Sequence, residues 1–371
     1  MGKCQLCGEK SQLISANLGV CLKCIREKPR EALAVTREAH AKSRMVYGLP
    51  AEPPKDADGI SCGVCANNCV IGVGKSGFCG LVWNVDGRLT RFGGTAEQGV
   101  LEWHYDGLPT NCVSWWFCPG CTGSGYPKYA YKPEAEHGYY NLAVFYGACN
   151  YDCLFCQNWH YRNLSARHKP VISAEALAQK AIDKRVSCIC FFGGDPSPQM
   201  PHSLETSRIA LEMAKAEKRI LRVCWETNGY MNPKLAEKAA EYALESGGNI
   251  KFDLKAWNEW LNIALCGASN KPTLENFRQI GEKFYGERPE LPVLTASTLL
   301  VPGYVDAEEV EGIAQFISQI NPEIPYTLLA FYPCYVMNDL PTTSRKQAHE
   351  CQKVAQKHLK NTRIGNIHLL S

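Results

Sequence analysis

The sequence predicts an α/β protein, a partial (β/α)6 barrel preceded by a cysteine-rich, metal-stapled N-terminal region. Two observations predict the barrel: six short apolar runs follow residue 140, and amphipathic helical patterns separate them. A series of βα units implies a parallel sheet with right-handed crossovers. Six units are too few to close an eight-stranded barrel, so we expect an open barrel with its chemistry at the carboxyl ends of the strands.

The strand candidates are near-continuous apolar runs, as expected of strands that a sheet buries on both faces. They span residues 141–147, 186–194, 221–228, 249–255, 293–301 and 326–333. The helical patterns span residues 173–185, 203–218, 232–246, 273–284 and 306–320. Ser173 and Asp306 precede acidic first turns and are the expected N-caps of two of these helices.

Three parts of the chain follow different patterns. Residues 1–50 are predicted to form a zinc-ribbon-like module and a helix, residues 51–140 a cysteine-rich metal-binding region, and residues 141–371 the barrel. The proline-rich stretch 47–59 is typical of a linker, so we expect the first module to contact the barrel loosely. The middle region has weak strand and helix periods, so bound metal would supply much of its folding free energy.

Composition limits the possible partners and location. The chain has 371 residues, 45% of them hydrophobic, and a net charge of +3, which by itself neither favours nor excludes nucleic acid. The basic stretch 28–45 is interpreted as a helix with a solvated face, so nucleic acid is not an expected partner. No apolar run reaches the ~20 residues of a membrane span, and no export signal opens the sequence. We therefore expect a cytoplasmic protein without a membrane partner.

Cysteine is the outlier of the composition, with 20 residues, most of them before residue 157. In a chain without an export signal, clustered cysteines favour metal thiolates over disulfides. Thiolates and iron–sulfur clusters are damaged by oxygen, which favours an anaerobic or strongly reducing cell.

The first cysteine set has the spacing C-x2-C-x13-C-x2-C and consists of Cys4, Cys7, Cys21 and Cys24. Each C-x2-C pair forms a hairpin whose two sulfurs bind one ion, and two such pairs complete a tetrahedron. This spacing predicts a zinc ribbon, with a mononuclear iron site as the alternative. Such ribbons are more often folding staples or docking surfaces than catalytic centres.

The second cysteine set has the spacing C-x2-C-x3-C-x9-C and consists of Cys62, Cys65, Cys69 and Cys79. Four thiolates at this spacing are expected to hold zinc or an iron–sulfur cluster. A third group, Cys112, Cys118 and Cys121, is equally compatible with another ion and with structural thiols. The remaining cysteines are expected in the core, because free cysteine packs as a small hydrophobe: Cys188, Cys190, Cys224, Cys266, Cys334 and Cys351.

The decisive stretch is "FYGACNYDCLFCQNWHYR", which places Cys149, Cys153 and Cys156 at C-x3-C-x2-C after the first predicted strand. Three thiolates on a [4Fe–4S] cluster leave one iron open to a ligand. A zinc site with a fourth ligand from elsewhere is the alternative for the triplet alone.

The motifs that follow the triplet resemble those of the radical S-adenosylmethionine superfamily. Phe155 precedes the third cysteine, and "FFGGDPSPQ", "WETNG", "KFDLK" and "TLLVPGYVD" follow at successive strand ends. In this order they are similar to the motifs of glycyl-radical-enzyme activases such as pyruvate formate-lyase activating enzyme, over roughly residues 141–345. The segment 62–89, followed by "FCPGC" and the triplet, is similar to the AmmeMemoRadiSam family.

This resemblance implies a radical SAM barrel and a role for each matching residue. Cys149, Cys153 and Cys156 would ligate a [4Fe–4S] cluster whose open iron binds S-adenosylmethionine. The implied S-adenosylmethionine-binding residues are Phe155 beside the adenine, Gly193 and Gly194 near the methionine amino group, and Asn228, Asp253 and Lys255 for its other polar groups.

The expected function is that of a radical SAM oxidoreductase similar to pyruvate formate-lyase activating enzyme. It would cleave S-adenosylmethionine to a 5′-deoxyadenosyl radical and abstract hydrogen from a substrate that the sequence does not identify, with a protein as one candidate. One alternative is a small metabolite, with auxiliary clusters in the N-terminal region. The other, from a different class, is a metal-stapled binding or scaffold protein. The implied electron donor is a flavodoxin or ferredoxin.

Overall fold

The computed structural model describes residues 1–110 and 112–371. Their strands are β1 (Gly2–Lys3), β2 (Lys10–Ser11), β3 (Ile60–Ser61), β4 (Val70–Ile71), β5 (Val82–Val85), β6 (Arg88–Arg91), β7 (Gln98–Gly107), β8 (Tyr140–Tyr146), β9 (Val171–Ser173), β10 (Val186–Gly193), β11 (Arg222–Thr227), β12 (Ile250–Asp253), β13 (Leu294–Leu300), β14 (Tyr326–Ala330) and β15 (Thr362–Gly365). Their α-helices are α1 (Leu22–Glu27), α2 (Pro29–Met45), α3 (Pro119–Thr122), α4 (Tyr161–Arg167), α5 (Ala174–Ala181), α6 (Met200–Ala216), α7 (Pro233–Ser246), α8 (Glu259–Cys266), α9 (Lys271–Phe284), α10 (Ala307–Ile320) and α11 (Arg345–Ala355).

A nine-stranded sheet with the order β15-β14-β13-β12-β11-β10-β8-β7-β9 forms the centre of the fold. The strands from β8 to β15 in this order pair in parallel. Strand β7 lies between β8 and β9, runs antiparallel to both, and together with β9 extends the sheet beyond β8. The carboxyl ends of the parallel strands therefore meet at one edge, where a βα fold carries its chemistry.

The predicted fold class is confirmed, and each of the six predicted strands is present as β8 or as β10 to β14. The two predicted N-caps also form: Ser173 Oγ accepts from the Ala176 N–H at 3.1 Å, and Asp306 Oδ1 accepts from the Glu309 N–H at 3.1 Å. Strand β15 adds a seventh parallel strand that was not predicted. Its four residues, "TRIG", are half-buried or exposed, so they lack the apolar run that marks the inner strands.

The first cysteine module packs firmly on the barrel, so the expected loose contact is wrong. Ser15 Oγ donates to Asp339 Oδ1 at 2.8 Å. Arg26 forms ion pairs with Asp306 at 3.0 Å and with Glu309, which is buried, at 2.7 Å. The pair with Glu309 fixes the orientation of the module, because removal of one partner of a buried ion pair costs on the order of 3–5 kcal/mol.

The middle region consists mainly of short hairpins, β3 with β4 and β5 with β6. It also supplies β7, which belongs to the barrel sheet although it lies in the stretch assigned to the cysteine-rich region. Cys65 forms an isolated β-bridge with Met231 of the barrel. Within the described ranges, no helix is both long enough and apolar enough to cross a membrane.

Candidate functional site

A cavity of about 250 Å³ lies at the carboxyl ends of the parallel strands. The structure brings all nine residues of the predicted cluster and S-adenosylmethionine sites to its wall: Cys149, Cys153, Phe155, Cys156, Gly193, Gly194, Asn228, Asp253 and Lys255. They lie at the carboxyl ends of four neighbouring parallel strands, β8, β10, β11 and β12, so the pairing of these strands in the sheet brings them together.

The loop that carries the three cysteines follows β8 and is hydrogen-bonded to the end of α8. The Asp152 N–H donates to the Cys266 carbonyl at 2.8 Å, and the Leu154 N–H donates to the Leu265 carbonyl at 3.0 Å. These two backbone bonds fix the loop between the first and third cysteines.

The three thiols in this cavity could hold a metal as thiolates. Burial raises the pKa of Cys149 well above its usual range, and burial also raises the pKa of Cys156 to about 11, although Arg162 and Lys255 act to lower it. The thiols are therefore protonated until a metal displaces the protons. In the described part of the chain, the buried Nε and Nη1 atoms of Arg162 have no hydrogen-bond partner, so a cation with unused donors stands near the sulfur of Cys156.

Asp152, between these cysteines, is the centre of a buried ionic network. Arg162 Nη2 and Ser43 Oγ each donate to its carboxylate at 2.5 Å, and His40 Nδ1 lies 3.0 Å from Oδ2. Burial by itself would raise the pKa of Asp152, but the bond from His40 and the charges of Arg162 and Arg44 lower it below its ordinary value. The carboxylate thus ties α2 to the cysteine loop.

The protein's own backbone requires the two glycines at the end of β10, Gly193 within the strand and Gly194 directly after it. Gly193 has φ of +114°, and a Cβ there would lie 2.4 Å from the Tyr146 amide nitrogen. A Cβ at Gly194 would lie 2.2 Å from the Ala148 carbonyl oxygen. The resemblance implies that these glycines let S-adenosylmethionine approach the backbone closely. In the structure they also let the end of β10 pack closely against the start of the cysteine loop.

Asp195 and Asn228 form a buried polar wall of the cavity. The Asn228 N–H donates to Asp195 Oδ2 at 2.6 Å, and Asn228 Nδ2 donates to Asn150 Oδ1 at 2.7 Å. Burial raises the pKa of Asp195, while hydrogen bonds from Ser197 and Asn228 act to lower it. Asn228 is therefore positioned by neighbours on two strand ends.

Asp253 lies between two lysines on the opposite wall. Its carboxylate accepts from Lys251 Nζ at 2.6 Å, from Lys255 Nζ at 2.9 Å and from Ser297 Oγ at 2.6 Å. Burial acts to raise the pKa of Asp253, but the two lysine charges lower it below its ordinary value. An ionised carboxylate with two cations beside it is suited to bind hydroxyl and carboxylate groups.

Six further residues line the same cavity: Cys112, Trp115, Glu226, Lys251, Thr327 and Asn366. The sequence analysis left Cys112 open between an ion ligand and a structural thiol, and it assigned none of the six to this site. Cys112 Sγ donates to Glu226 Oε1 at 3.3 Å, and the Arg363 guanidinium lies 4.2 Å from the centre of the Trp115 ring. The segment from Cys112 to Cys118 therefore enters the barrel. In the sequence, the paired tryptophans Trp115 and Trp116 were the only sign that this segment lines the cavity. Tryptophan beside cysteine is equally typical of a hydrophobic core, so this sign did not predict the position.

A second, smaller cavity of about 40 Å³ lies below this segment. Five thiols line it: Cys112, Cys118, Cys188, Cys190 and Cys224. The expected core position is confirmed for Cys190, Cys266 and Cys351, which are buried. Cys188 and Cys224, which border this cavity, are half-buried, and so is Cys334, so the expectation is wrong for these three.

The two N-terminal cysteine sets differ in geometry. The sulfurs of Cys4, Cys7, Cys21 and Cys24 all lie within 4.8 Å of one another, as a tetrahedral mononuclear site requires. The sulfurs of the second set line one cavity together. Among the described residues, no three sulfurs of the second set lie within 4.8 Å of one another, and neither do the sulfurs of Cys149, Cys153 and Cys156.

Residues 143–317 match the Radical SAM superfamily. An uncharacterized protein of Methanocaldococcus jannaschii is 25% identical over 84% of this chain and 83% of its own length. A putative glycyl-radical enzyme activating enzyme of the same organism is 28% identical over 57% of this chain and 76% of its own length. An isethionate sulfite-lyase activating enzyme of Desulfovibrio desulfuricans is 31% identical over 38% of this chain and 40% of its own length.

Solved structures are more distant. A domain of pyruvate-formate lyase-activating enzyme from Bacteroides vulgatus has a TM-score of 0.35 and 17% identity over 48% of this chain and 98% of that chain. Streptococcus suis SuiB bound to precursor peptide SuiA has a TM-score of 0.44 and 14% identity over 60% of this chain and 47% of that chain. Both TM-scores are below 0.5. The match over residues 143–317 confirms the superfamily that the motifs resemble.

Proposed function

Because residues 143–317 belong to the radical SAM superfamily, we propose that this chain reductively cleaves S-adenosylmethionine and abstracts hydrogen from a substrate. The observation that carries the proposal is the cavity whose wall holds all nine predicted site residues. When bound, a reduced [4Fe–4S] cluster supplies one electron to the sulfonium C–S bond, which gives methionine and a 5′-deoxyadenosyl radical. The protein orients these groups and excludes water.

Cys149, Cys153 and Cys156 are the proposed ligands of that cluster. Their thiols come from one loop, and the protein supplies no aspartate, glutamate or histidine close enough to complete a mononuclear site with them among the described residues. Arg162 and Lys255 stand near the sulfur of Cys156 and would offset part of the negative charge of a thiolate-ligated cluster.

Asp253, Lys255, Asn228 and Phe155 are the proposed contacts of S-adenosylmethionine. The ionised Asp253 carboxylate offers an acceptor for hydroxyl or ammonium groups, and Lys255 a donor for a carboxylate. Phe155 is buried and lines the cavity, so it offers an apolar face to an adenine ring. The glycines at 193 and 194 keep the wall between these groups free of side chains.

A protein is the proposed substrate. Two relatives are named as activating enzymes, one of a glycyl-radical enzyme and one of isethionate sulfite-lyase, and each name describes action on another enzyme. A small metabolite is the second candidate, and the cavity floor favours it. Cys112, Glu226 and Lys251 provide a thiol, a carboxylate and a cation there, a set suited to a small polar molecule.

We further propose zinc or iron in each N-terminal cysteine set, a low-potential one-electron donor such as flavodoxin or ferredoxin, and a reducing, anaerobic cytoplasm. The first set is proposed to hold one zinc or one iron ion as a folding staple. The short distances among its sulfurs support a mononuclear site.

The test is anaerobic reconstitution of the full chain followed by reaction with S-adenosylmethionine and dithionite. We expect 5′-deoxyadenosine and methionine in the wild type and neither in a Cys149→Ser, Cys153→Ser, Cys156→Ser triple variant. The matched control is Cys334→Ser, which removes a half-buried thiol outside all three sets and should retain cleavage. Cleavage by the triple variant would refute the proposed ligands.

A further inference from the structure

We infer that Cys62, Cys65, Cys69 and Cys79 hold an iron–sulfur cluster that passes electrons to the site of Cys149, Cys153 and Cys156. The cluster assignment stands on the geometry of the second cysteine set, and its role as a relay rests on the proposed function. No zinc ribbon can perform this role, because zinc has no redox chemistry.

The first argument is the spread of the four sulfurs. They line one cavity, yet no three of them come within 4.8 Å of one another among the described residues. Tetrahedral zinc with Zn–S bonds of about 2.3 Å requires sulfurs about 3.8 Å apart. The first set meets that requirement and the second does not. A cluster of several iron and sulfide atoms separates its ligands further, and the sulfurs of the Cys149 triplet share this wider spread.

The second argument is the donors that face the sulfurs. Arg91 Nη2 donates to Cys62 Sγ at 3.3 Å, and the Phe78 N–H donates to Cys69 Sγ at 3.5 Å. Hydrogen bonds and nearby positive charge at cluster sulfurs favour the reduced state and help to set the reduction potential. The backbone bond from the Cys62 N–H to the Cys69 carbonyl, at 2.9 Å, closes the loop around them.

The third argument is a short connection between the two sites. Asn67, two residues after Cys65, donates from Nδ2 to the Asn150 carbonyl at 2.8 Å, and Asn150 follows Cys149 directly. Both asparagines are buried. Asn150 Nδ2 in turn donates to the Tyr230 carbonyl at 2.9 Å, which also accepts from the Ala66 N–H at 3.0 Å. One hydrogen bond therefore joins the loops that carry the two sites.

Each site has one buried thiol, Cys69 or Cys149, and its other thiols are half-buried. The proposed electron flow runs from the second cysteine set, the outer cluster, to the inner site of Cys149, Cys153 and Cys156, because cleavage of S-adenosylmethionine there would consume the electron. An external low-potential one-electron reductant would reduce the outer cluster by one electron and become oxidised by one. The outer cluster would then return to its oxidised state as it reduces the inner site, and no proton or leaving group is involved.

The first experiment locates the iron. The full chain carrying Cys149→Ser, Cys153→Ser and Cys156→Ser is reconstituted anaerobically with iron and sulfide, then analysed for metals and by Mössbauer and EPR spectroscopy. We expect it to retain a reducible cluster that is lost when Cys69→Ser is added. Zinc without iron in the triple variant, or an EPR signal unaffected by Cys69→Ser, would overturn the assignment. The triple variant leaves the second cysteine set intact. Its metal content and spectra therefore test the assignment even if the protein with the added Cys69→Ser change folds poorly.

The second experiment tests the relay. Asn67→Leu removes the amide that bonds to Asn150 and leaves all cysteines in place, and Asn361→Leu is the control, since it removes a surface amide that bonds only to Glu323. After rapid mixing with dithionite, freeze-quench EPR should show several-fold slower reduction of the inner cluster in Asn67→Leu, with iron content unchanged. Equal rates in the two variants would refute the relay. Two clusters without cleavage of S-adenosylmethionine by the wild type would instead refute the proposed function and leave the cluster assignment standing.

Discussion

His40, on helix α2, lies with Nδ1 3.0 Å from Oδ2 of Asp152, the residue just before Cys153. Its other ring nitrogen lies 3.1 Å from the Ala264 carbonyl. Both neighbours are acceptors, so the ring makes both bonds only when both of its nitrogens carry protons. The imidazole thus connects the helix after the first cysteine set, the cysteine loop and α8.

Replacement of His40 by alanine should therefore destabilise the whole fold. The change removes the imidazole from the buried Ala264 carbonyl and from the buried Asp152 carboxylate, which keeps its bonds from Arg162 and Ser43. Loss of a partner by a buried polar group costs on the order of 1–3 kcal/mol. We expect a lower midpoint of urea unfolding for the full chain. His349→Ala is the control, because His349 is an exposed histidine in α11. Equal midpoints would show that the contact between α2 and the loop contributes nothing measurable.

Gly194→Ala should disrupt the entrance to the cysteine loop. The new Cβ would lie 2.2 Å from the Ala148 carbonyl oxygen, and overpacking of this kind costs about 1–3 kcal/mol or more. We expect a lower unfolding temperature and less iron after reconstitution. The control is Gly286→Ala, where an added Cβ has no neighbour within 4 Å. An unaltered Gly194→Ala protein would mean that the two backbone segments separate more easily than the structure indicates.

Asp253→Asn should weaken the binding of S-adenosylmethionine. The change removes the charge that Lys251 and Lys255 share, and a hydrogen bond to a charged group contributes about 1.5–3 kcal/mol. Equilibrium dialysis of reconstituted protein with radiolabelled S-adenosylmethionine should show roughly a tenfold or greater loss of affinity, since 1.4 kcal/mol corresponds to a factor of 10. Asp58→Asn, at an exposed aspartate, should bind as the wild type does. Unchanged affinity of the Asp253 variant would show that Asp253 does not contribute to the binding of S-adenosylmethionine.

Substitution of Cys7 by serine should release the metal of the first set and leave the cluster iron unchanged. Cys7 is an exposed member of that set, and structural zinc contributes on the order of 10 kcal/mol to small modules. We expect one ion fewer per chain and earlier proteolysis within residues 1–27. Loss of iron at the barrel in this variant would mean that the first set also serves the cluster site.

The barrel and its motif residues were predictable because buried parallel strands are marked by apolar runs, and the residues after them meet at one edge. Strand β15 was not predictable, since "TRIG" carries no such run. The docking of α2 was also missed: the stretch 28–45 is strongly polar, and the burial of His40 and Arg44 depends on a carboxylate, Asp152, that is distant in sequence. The roles of Cys149, Asn228 and Asp253 stay predictions, now with a shared cavity to support them.

The thiols that line the smaller cavity bear on whether unfolding of the protein can be reversed. Cys190 and Cys224 occupy paired positions on β10 and β11. Burial raises the pKa of Cys224 to about 12, so these thiols are unreactive in the folded protein. Opening the barrel removes that burial and returns the thiols to ordinary reactivity while they are still neighbours along the chain, as Cys188 and Cys190 are. In air, heated protein should therefore form wrong disulfides and fail to refold, whereas the same heating under a strong reductant should allow the native circular dichroism spectrum to return.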